Sequence, residues 1–191
     1  MLPYLVIAGA IVQLGGVAAY IKETIAGRAK PNRVSWLFWS IAPLIASAAA
    51  LSSGVRWAVL PVFMSGFGPF LVLLASFANK KSYWKLEKFD YLCGLFSLLA
   101  LILWGLTRDP LIAIIFAVLS DVFAAVPSLI KSWRYPETET VNVYATGLFN
   151  ALTSFAAISA WTAASLIFPI YLVVIDLSFV LAVGRKRFRP K

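Results

Sequence analysis

Asp121 and Asp176 each lie near the middle of a long apolar run. A carboxylate at the centre of a hydrocarbon layer costs ~2.5 kcal/mol or more, so both are expected to face other helices or a cavity. No lysine or arginine lies at comparable depth. A proton, a metal ion or a cationic substrate group must therefore supply the compensating positive charge. Polar side chains gather around these acids. Asn142, Thr146, Asn150 and Ser154 recur every four residues, which stacks them on one helix face. Ala113, Ala117, Asp121 and Ala125 form a face of small residues with one acid, and Gln13 and Tyr20 mark a similar face near the start of the chain. The chemistry this suits is hydrogen bonding to a small polar or cationic solute. The candidate contacts are Asn150, Asp176, Asp121, Thr146, Ser154 and Gln13. A second reading stands beside it, because small and polar faces are also how membrane helices pack, with a neutral aspartic acid as an interhelical donor.

Other chemistries are excluded by residue type. The chain has no histidine and a single cysteine, Cys93, which removes imidazole metal sites, Ser-His and Cys-His catalysis and an intrachain disulfide. An intramembrane aspartyl protease would carry Gly-x-Gly-Asp, but Gly66-Phe67-Gly68 is followed by Pro69, and Asp176 sits in Val173-Val174-Ile175-Asp176-Leu177. No apolar run contains a lysine for a retinal Schiff base; Lys186 lies beyond the last one. Neither enzyme activity nor a metal or other cofactor is expected. The remaining acids, Glu23, Glu87, Asp90, Asp109, Glu137 and Glu139, fall in gaps or at run edges and are expected to be solvated.

The elements that must position these side chains are membrane helices. Of 191 residues, 61% are hydrophobic and 13% charged, about half the charged fraction of an ordinary soluble domain. The mean hydropathy is +0.87. Seven apolar runs can be cut at charged or turn-rich gaps, approximately 3–21, 34–52, 57–78, 91–107, 111–130, 143–161 and 165–184. Most reach the ~20 residues that span a hydrocarbon core. The boundary between the last two rests on Thr162-Ala163-Ala164 alone. Met1-Leu2-Pro3-Tyr4 offers no basic region of a cleaved leader, so the first run is expected as a retained helix.

Charge placement orients the runs. Lys22, Arg28, Lys30 and Arg33 fall in the first gap; Lys80, Lys81, Lys85 and Lys88 in the third; Lys131 and Arg134 in the fifth; Arg185, Lys186, Arg187, Arg189 and Lys191 in the tail. Fifteen of the seventeen basic residues thus share one side, and Arg56 and Arg108 take the other. The positive-inside rule places the N-terminus outside and the C-terminus in the cytoplasm. The net charge of +9 then meets anionic headgroups of the cytoplasmic leaflet of a plasma (inner) membrane. It forms no basic stripe to track nucleic acid. Trp36, Trp57, Tyr83, Trp84, Trp133, Tyr135 and Trp161 lie near run ends, where interfacial rings prefer to sit.

An internal repeat divides the seven. Sliding the chain by 107 residues lays the first two runs on the fifth and sixth: Gln13 meets Ser120, Tyr20 meets Pro127, Ser35 meets Asn142, Pro43 meets Asn150 and Ser47 meets Ser154. One residue more lays Pro61 on Pro169 and Gly68 on Asp176. The fourth run has no counterpart. The expected organisation is an all-α integral membrane protein of seven transmembrane helices, 3+1+3, with two parallel triple-helix repeats. Its parts are a first unit over 1–80, a linker helix over 81–109, and a second unit with the basic tail over 110–191.

Pro127-Ser128-Leu129-Ile130-Lys131, with Thr138 and Thr140 after it, resembles the Pro-Gln-x-x-Lys signature of the SWEET and PQ-loop superfamily. Ser128 stands where that signature has Gln. The first unit has Tyr20-Ile21 in the equivalent place, and carries Lys30-Pro31-Asn32-Arg33-Val34-Ser35-Trp36 before its second helix. The resemblance implies a solute carrier whose pocket is lined by the second and third helices of each unit, which points to Asn150 and Asp176. Pro43, Pro61, Pro69, Pro127 and Pro169 each remove a backbone hydrogen bond and permit a bend, as alternating access requires. Pro31, Asn32, Pro43, Pro127, Ser128, Lys131 and Pro169 are the motif and hinge candidates. The expected partners are a small-molecule solute, protons and the lipid bilayer; oligomeric state and solute identity stay open. A non-transporting receptor or assembly protein is the rival reading.

Overall fold

The structure, a computed structural model, describes residues 2–52, 59–107, 110–158 and 161–185. Arg56, Trp57, Arg108, Asp109 and the tail from Lys186 to Lys191 lie outside the described residues. Among the described residues there are seven α-helices, joined with short 3-10 turns, and no strand. They are α1 (Leu2–Ile25), α2 (Arg33–Ser52), α3 (Leu60–Ala75), α4 (Lys88–Leu106), α5 (Pro110–Arg134), α6 (Val141–Ser154) and α7 (Ala163–Gly184). Four of them, α1, α4, α5 and α7, are long and apolar enough to cross a membrane.

Local chemistry sets the helix ends, and several differ from the expected run limits. Helix α4 starts at Lys88 because the Asp90 carboxylate turns back to accept from the Glu87 amide at 2.6 Å. Thr162, expected in a gap, is the N-cap of α7, its hydroxyl accepting from the Ser165 amide at 3.3 Å. Asn32 caps α2 through the Val34 amide at 3.1 Å. Helix α6 stops at Ser154 rather than near 161 and tightens into the 3-10 turn Phe155–Ala157. The hydroxyls of Thr153 and Ser154 have by then folded back onto the carbonyls of Asn150 and Ala151, which loosens the last turn. Its 14 residues rise about 21 Å.

Burial runs opposite to a soluble bundle. On α4 the buried face is Cys93, Gly94, Ser97 and Ala100, while Leu92, Leu95, Leu99, Ile102 and Leu106 are exposed. On α7, Ile170, Val174, Leu177 and Leu181 form an exposed stripe at helical spacing. Water would penalise such continuous apolar surface, whereas acyl chains accept it. Small inward residues let backbones approach closely. Ser97 and Ser120 use this proximity: each hydroxyl donates to the other's backbone carbonyl, at 2.7 and 2.9 Å, and locks α4 to α5.

Helix α3 packs against α1 and α2, and α7 packs against α5 and α6. The two sets meet where α1 runs along α6 and α2 along α5, with α4 resting on α5 and, less closely, on α2. At one end the connections α1–α2, α3–α4 and α5–α6 are tied to one another. The Lys30 amide donates to the Thr138 carbonyl at 2.9 Å, and the Asn79 amide group donates to the Ile25 carbonyl at 2.7 Å. Ser82 donates to the Thr24 carbonyl, and the rings of Trp84 and Tyr135 lie 5.5 Å apart. Gly27, at φ +79°, makes the turn that leaves α1. Arg33 joins this basic end to the end of α3, donating to the Ser76 carbonyl at 2.7 Å beneath the Phe77 ring.

Trp36 is not an interfacial anchor. It is 2% exposed and sits in a file of rings between the basic end and the middle of the bundle. Tyr20 to Trp36 is 5.0 Å, Trp36 to Trp39 5.3 Å, Trp39 to Phe179 5.6 Å and Phe179 to Tyr144 4.4 Å. These rings come from α1, α2, α7 and α6, and burial of such areas dominates core energetics. Tyr83, Trp133, Tyr135 and Trp161 are exposed, as expected of anchors.

Candidate functional site

Beyond the ring file lies a cavity of about 80 Å³, bounded among others by Gln13, Trp39, Pro43, Asp121, Phe168 and Asp176. A larger cavity of about 470 Å³ includes Asn150, Ser154, Pro61, Trp104 and Pro169. The two share Pro43, Phe168 and Leu172, so they adjoin, the larger on the side away from the basic end. The structure thus brings Asp121, Asp176 and Gln13 to the inner cavity and Asn150 and Ser154 to the outer one. Pro43 borders both.

Asp121 is 7% exposed and accepts one hydrogen bond, from the Tyr171 hydroxyl at 2.5 Å. Its neighbour across the cavity, Asp176, reaches α6 through a gap in side chains. A Cβ on Gly147 would stand 2.9 Å from the Asp176 Oδ2, so glycine there is what admits the carboxylate. Gln13 is buried, and its Oε1 has no partner. The same holds for the Asn150 Oδ1, while its Nδ2 reaches only the Pro61 carbonyl at 3.5 Å. An unpartnered buried acceptor costs about 1–3 kcal/mol. Neither cavity is lined by a lysine or arginine, and the ion pairs among the described residues lie elsewhere. The combined lining holds two carboxyl groups and two amide oxygens without partners, and no lysine or arginine.

Thr146 departs from expectation. Its hydroxyl donates to the Asn142 carbonyl of its own helix at 2.9 Å, its side chain packs where Gly16 of α1 leaves room, and it borders neither cavity. The four-residue spacing put it on the face of Asn150, but α1 lies against that part of α6. Asn142 is exposed.

The motif residues gather at the basic end. Pro127 is buried, and the Ser128 hydroxyl donates to the Ser35 hydroxyl at 2.8 Å, joining α5 to α2. Pro31 and Asn32 are buried, and the Asn32 amide group donates to the Asp90 carboxylate at 2.6 Å. Lys131 and Glu139 form an ion pair at 2.5 Å with side chains 2% and 0% exposed. Glu139 also accepts from the hydroxyls of Tyr20 at 2.7 Å and Tyr144 at 3.0 Å. Lys131 donates to the Lys30 carbonyl and lies 5.0 Å over the Trp84 ring. Two expectations fail here: Glu139 and Asp90, read as solvated charges, are 2% and 5% exposed. Each has buried partners on other segments, which residue type and local hydropathy do not reveal. Tyr171, Phe168 and Tyr144 are further site residues that no local signal marks, because one aromatic among many apolar residues is not distinctive. Among the described residues there is no group of three or more His, Cys, Asp or Glu side chains that could hold a metal ion.

No family model, curated protein or solved structure matches this chain.

Proposed function

We propose that the chain is an integral membrane transporter, similar to the SWEET and PQ-loop carriers, that moves a small polar or cationic solute by alternating access. Its seven helices cross the membrane as 3+1+3, over 1–80, 81–109 and 110–191, with the N-terminus outside and the C-terminus in the cytoplasm of a plasma (inner) membrane. One observation carries the reading: a cavity holding two carboxylates and no cation lies among helices of both sets. A structural pair of ionised acids would be expected to hold an internal partner cation. An acceptor-rich cavity left without one suits a charge that comes and goes. The packing of α3 with α1 and α2, repeated by α7 with α5 and α6, supports the division into units. The tied connections at the basic end support the parity of crossings.

Under this reading the closed end is the cytoplasmic gate. The ring file and the Lys131–Glu139 pair block the route there, while the larger cavity lies toward the other face. Asp121 or Asp176 carries the proton when transport is proton-coupled, since a carboxyl can exchange a proton for a cationic group. The test is uptake by purified protein in proteoliposomes, from a panel of sugars, amino acids and cations, with and without a pH gradient. The expected result is saturable uptake that Asp121→Asn or Asp176→Asn reduces at least ~10-fold. Failure of correctly folded protein to move any member of the panel would instead support a receptor or assembly role.

A further inference from the structure

The cavity chemistry also narrows the solute, if the transporter reading holds. Around the inner cavity stand two carboxylates and the unpartnered Oε1 of the buried Gln13. Tyr171 already spends its hydroxyl proton on Asp121. An anion would meet no lysine or arginine there, whereas two carboxyl groups and an open amide oxygen suit a group rich in N–H donors. Aromatic side chains of Trp36, Trp39, Tyr144, Phe168 and Phe179 border the same space, and ring faces attract cations. The inner space, about 80 Å³, holds a compact head group rather than a whole solute. The adjoining outer cavity is bordered largely by alanine, proline and other apolar side chains such as Ala42, Ala46, Pro61 and Val62, and suits a hydrocarbon body. A bare inorganic ion would leave that outer space unused.

We propose that the inner cavity binds the ammonium head of a small primary organic amine, with Asp121, Asp176 and Gln13 as acceptors and the carbon body lying toward Asn150 and Pro169. The unpartnered Gln13 oxygen is what distinguishes a built site from two acids that merely lie close. An ammonium group has three N–H donors, and the cavity offers three acceptor groups with no competing donor cation.

The test is calorimetric titration of the full chain in lipid nanodiscs with phenethylamine, its neutral isostere 2-phenylethanol and the anion phenylacetate. The amine is expected to bind saturably, ~10-fold or more tighter than the alcohol, and phenylacetate is expected not to bind. Asp121→Asn and Asp176→Asn should each weaken the amine ~10-fold or more, and Gln13→Leu, which adds no charge, several-fold. Gln13→Leu keeps the test decisive if an aspartate variant does not fold. Equal affinity for amine and alcohol overturns the proposal, as does amine affinity unchanged by all three substitutions, or displacement of the amine by sodium at equal concentration. Amine binding without amine flux in proteoliposomes supports this site and overturns the transporter reading. Flux of a neutral solute that phenethylamine does not inhibit keeps that reading and overturns this one.

Discussion

The Lys131–Glu139 pair is the residue-scale feature with the clearest energetic consequence. Both side chains have left water, and contacts that offset the cost include the pair itself, the two tyrosine hydroxyls on Glu139, and the Lys30 carbonyl and Trp84 ring on Lys131. Removing one partner strands the other charge, which typically costs ~3–5 kcal/mol, whereas replacing both with apolar groups of similar size is near neutral. Lys131→Met is therefore expected to lower the thermal midpoint of the purified protein substantially, and Lys131→Met with Glu139→Leu to recover most of the loss. Equal loss in single and double variants would mean the pair contributes by shape alone. The same scale shows what the sequence made legible. Asp121 and Asp176 stand out because a carboxylate in an apolar run is costly, and both do border the inner cavity. Glu139 was hidden because its burial comes from Tyr20 on α1, 119 positions away, and local hydropathy records none of that.

At the scale of elements, the contact of α1 with α6 shows how glycine position decides packing. A Cβ on Gly16 would fall 2.9 Å from the Thr146 Cβ and 3.0 Å from the Asn142 carbonyl oxygen, while one on Gly15 would meet nothing within 4 Å. The backbone oxygen cannot rotate aside, so Gly16→Ala must push the helices apart. Overpacking of this kind costs about 1–3 kcal/mol. Gly16→Ala is expected to lower the midpoint of thermal unfolding, and Gly15→Ala to hold or raise it, since alanine is the better helix former. Equal effects would show that α1 does not pack in this register. Apolar length was enough to find the seven α-helices among the described residues, because a span of the hydrocarbon layer demands a long apolar run. The helix ends were less legible. Asp90, Thr162 and Ser154 set them through single hydrogen bonds, which hydropathy does not weigh. The spacing of Thr146 and Asn150 places them on one helix face, but local sequence does not say which neighbour covers each part of it.

The whole molecule is organised around an asymmetry between its two ends. Connections α1–α2, α3–α4 and α5–α6 hold one another through hydrogen bonds and the Trp84–Tyr135 ring contact. Together with the helix turns that flank them, they carry ten of the twelve basic residues outside the tail. Their common location is what alternate crossings of a membrane would produce, and under the positive-inside rule the basic charge would assign that end to the cytoplasm. Cysteine accessibility can decide it, because Cys93 is the sole native thiol and is buried. In a Cys93→Ala background, Tyr135→Cys at the basic end and Trp161→Cys ahead of α7 place thiols at positions 47% and 69% exposed. A membrane-impermeant maleimide added to intact cells is expected to label Trp161→Cys and to reach Tyr135→Cys only after permeabilisation. The reverse pattern would invert the orientation. Labelling of both in intact cells would break the parity on which the seven-crossing arrangement depends. The expected pattern places the ring file and the Lys131–Glu139 pair on the cytoplasmic side of both carboxylates. The conformation described here would then hold its acids on the outer side of a closed gate, so loading from outside would come first and rupture of that ion pair second.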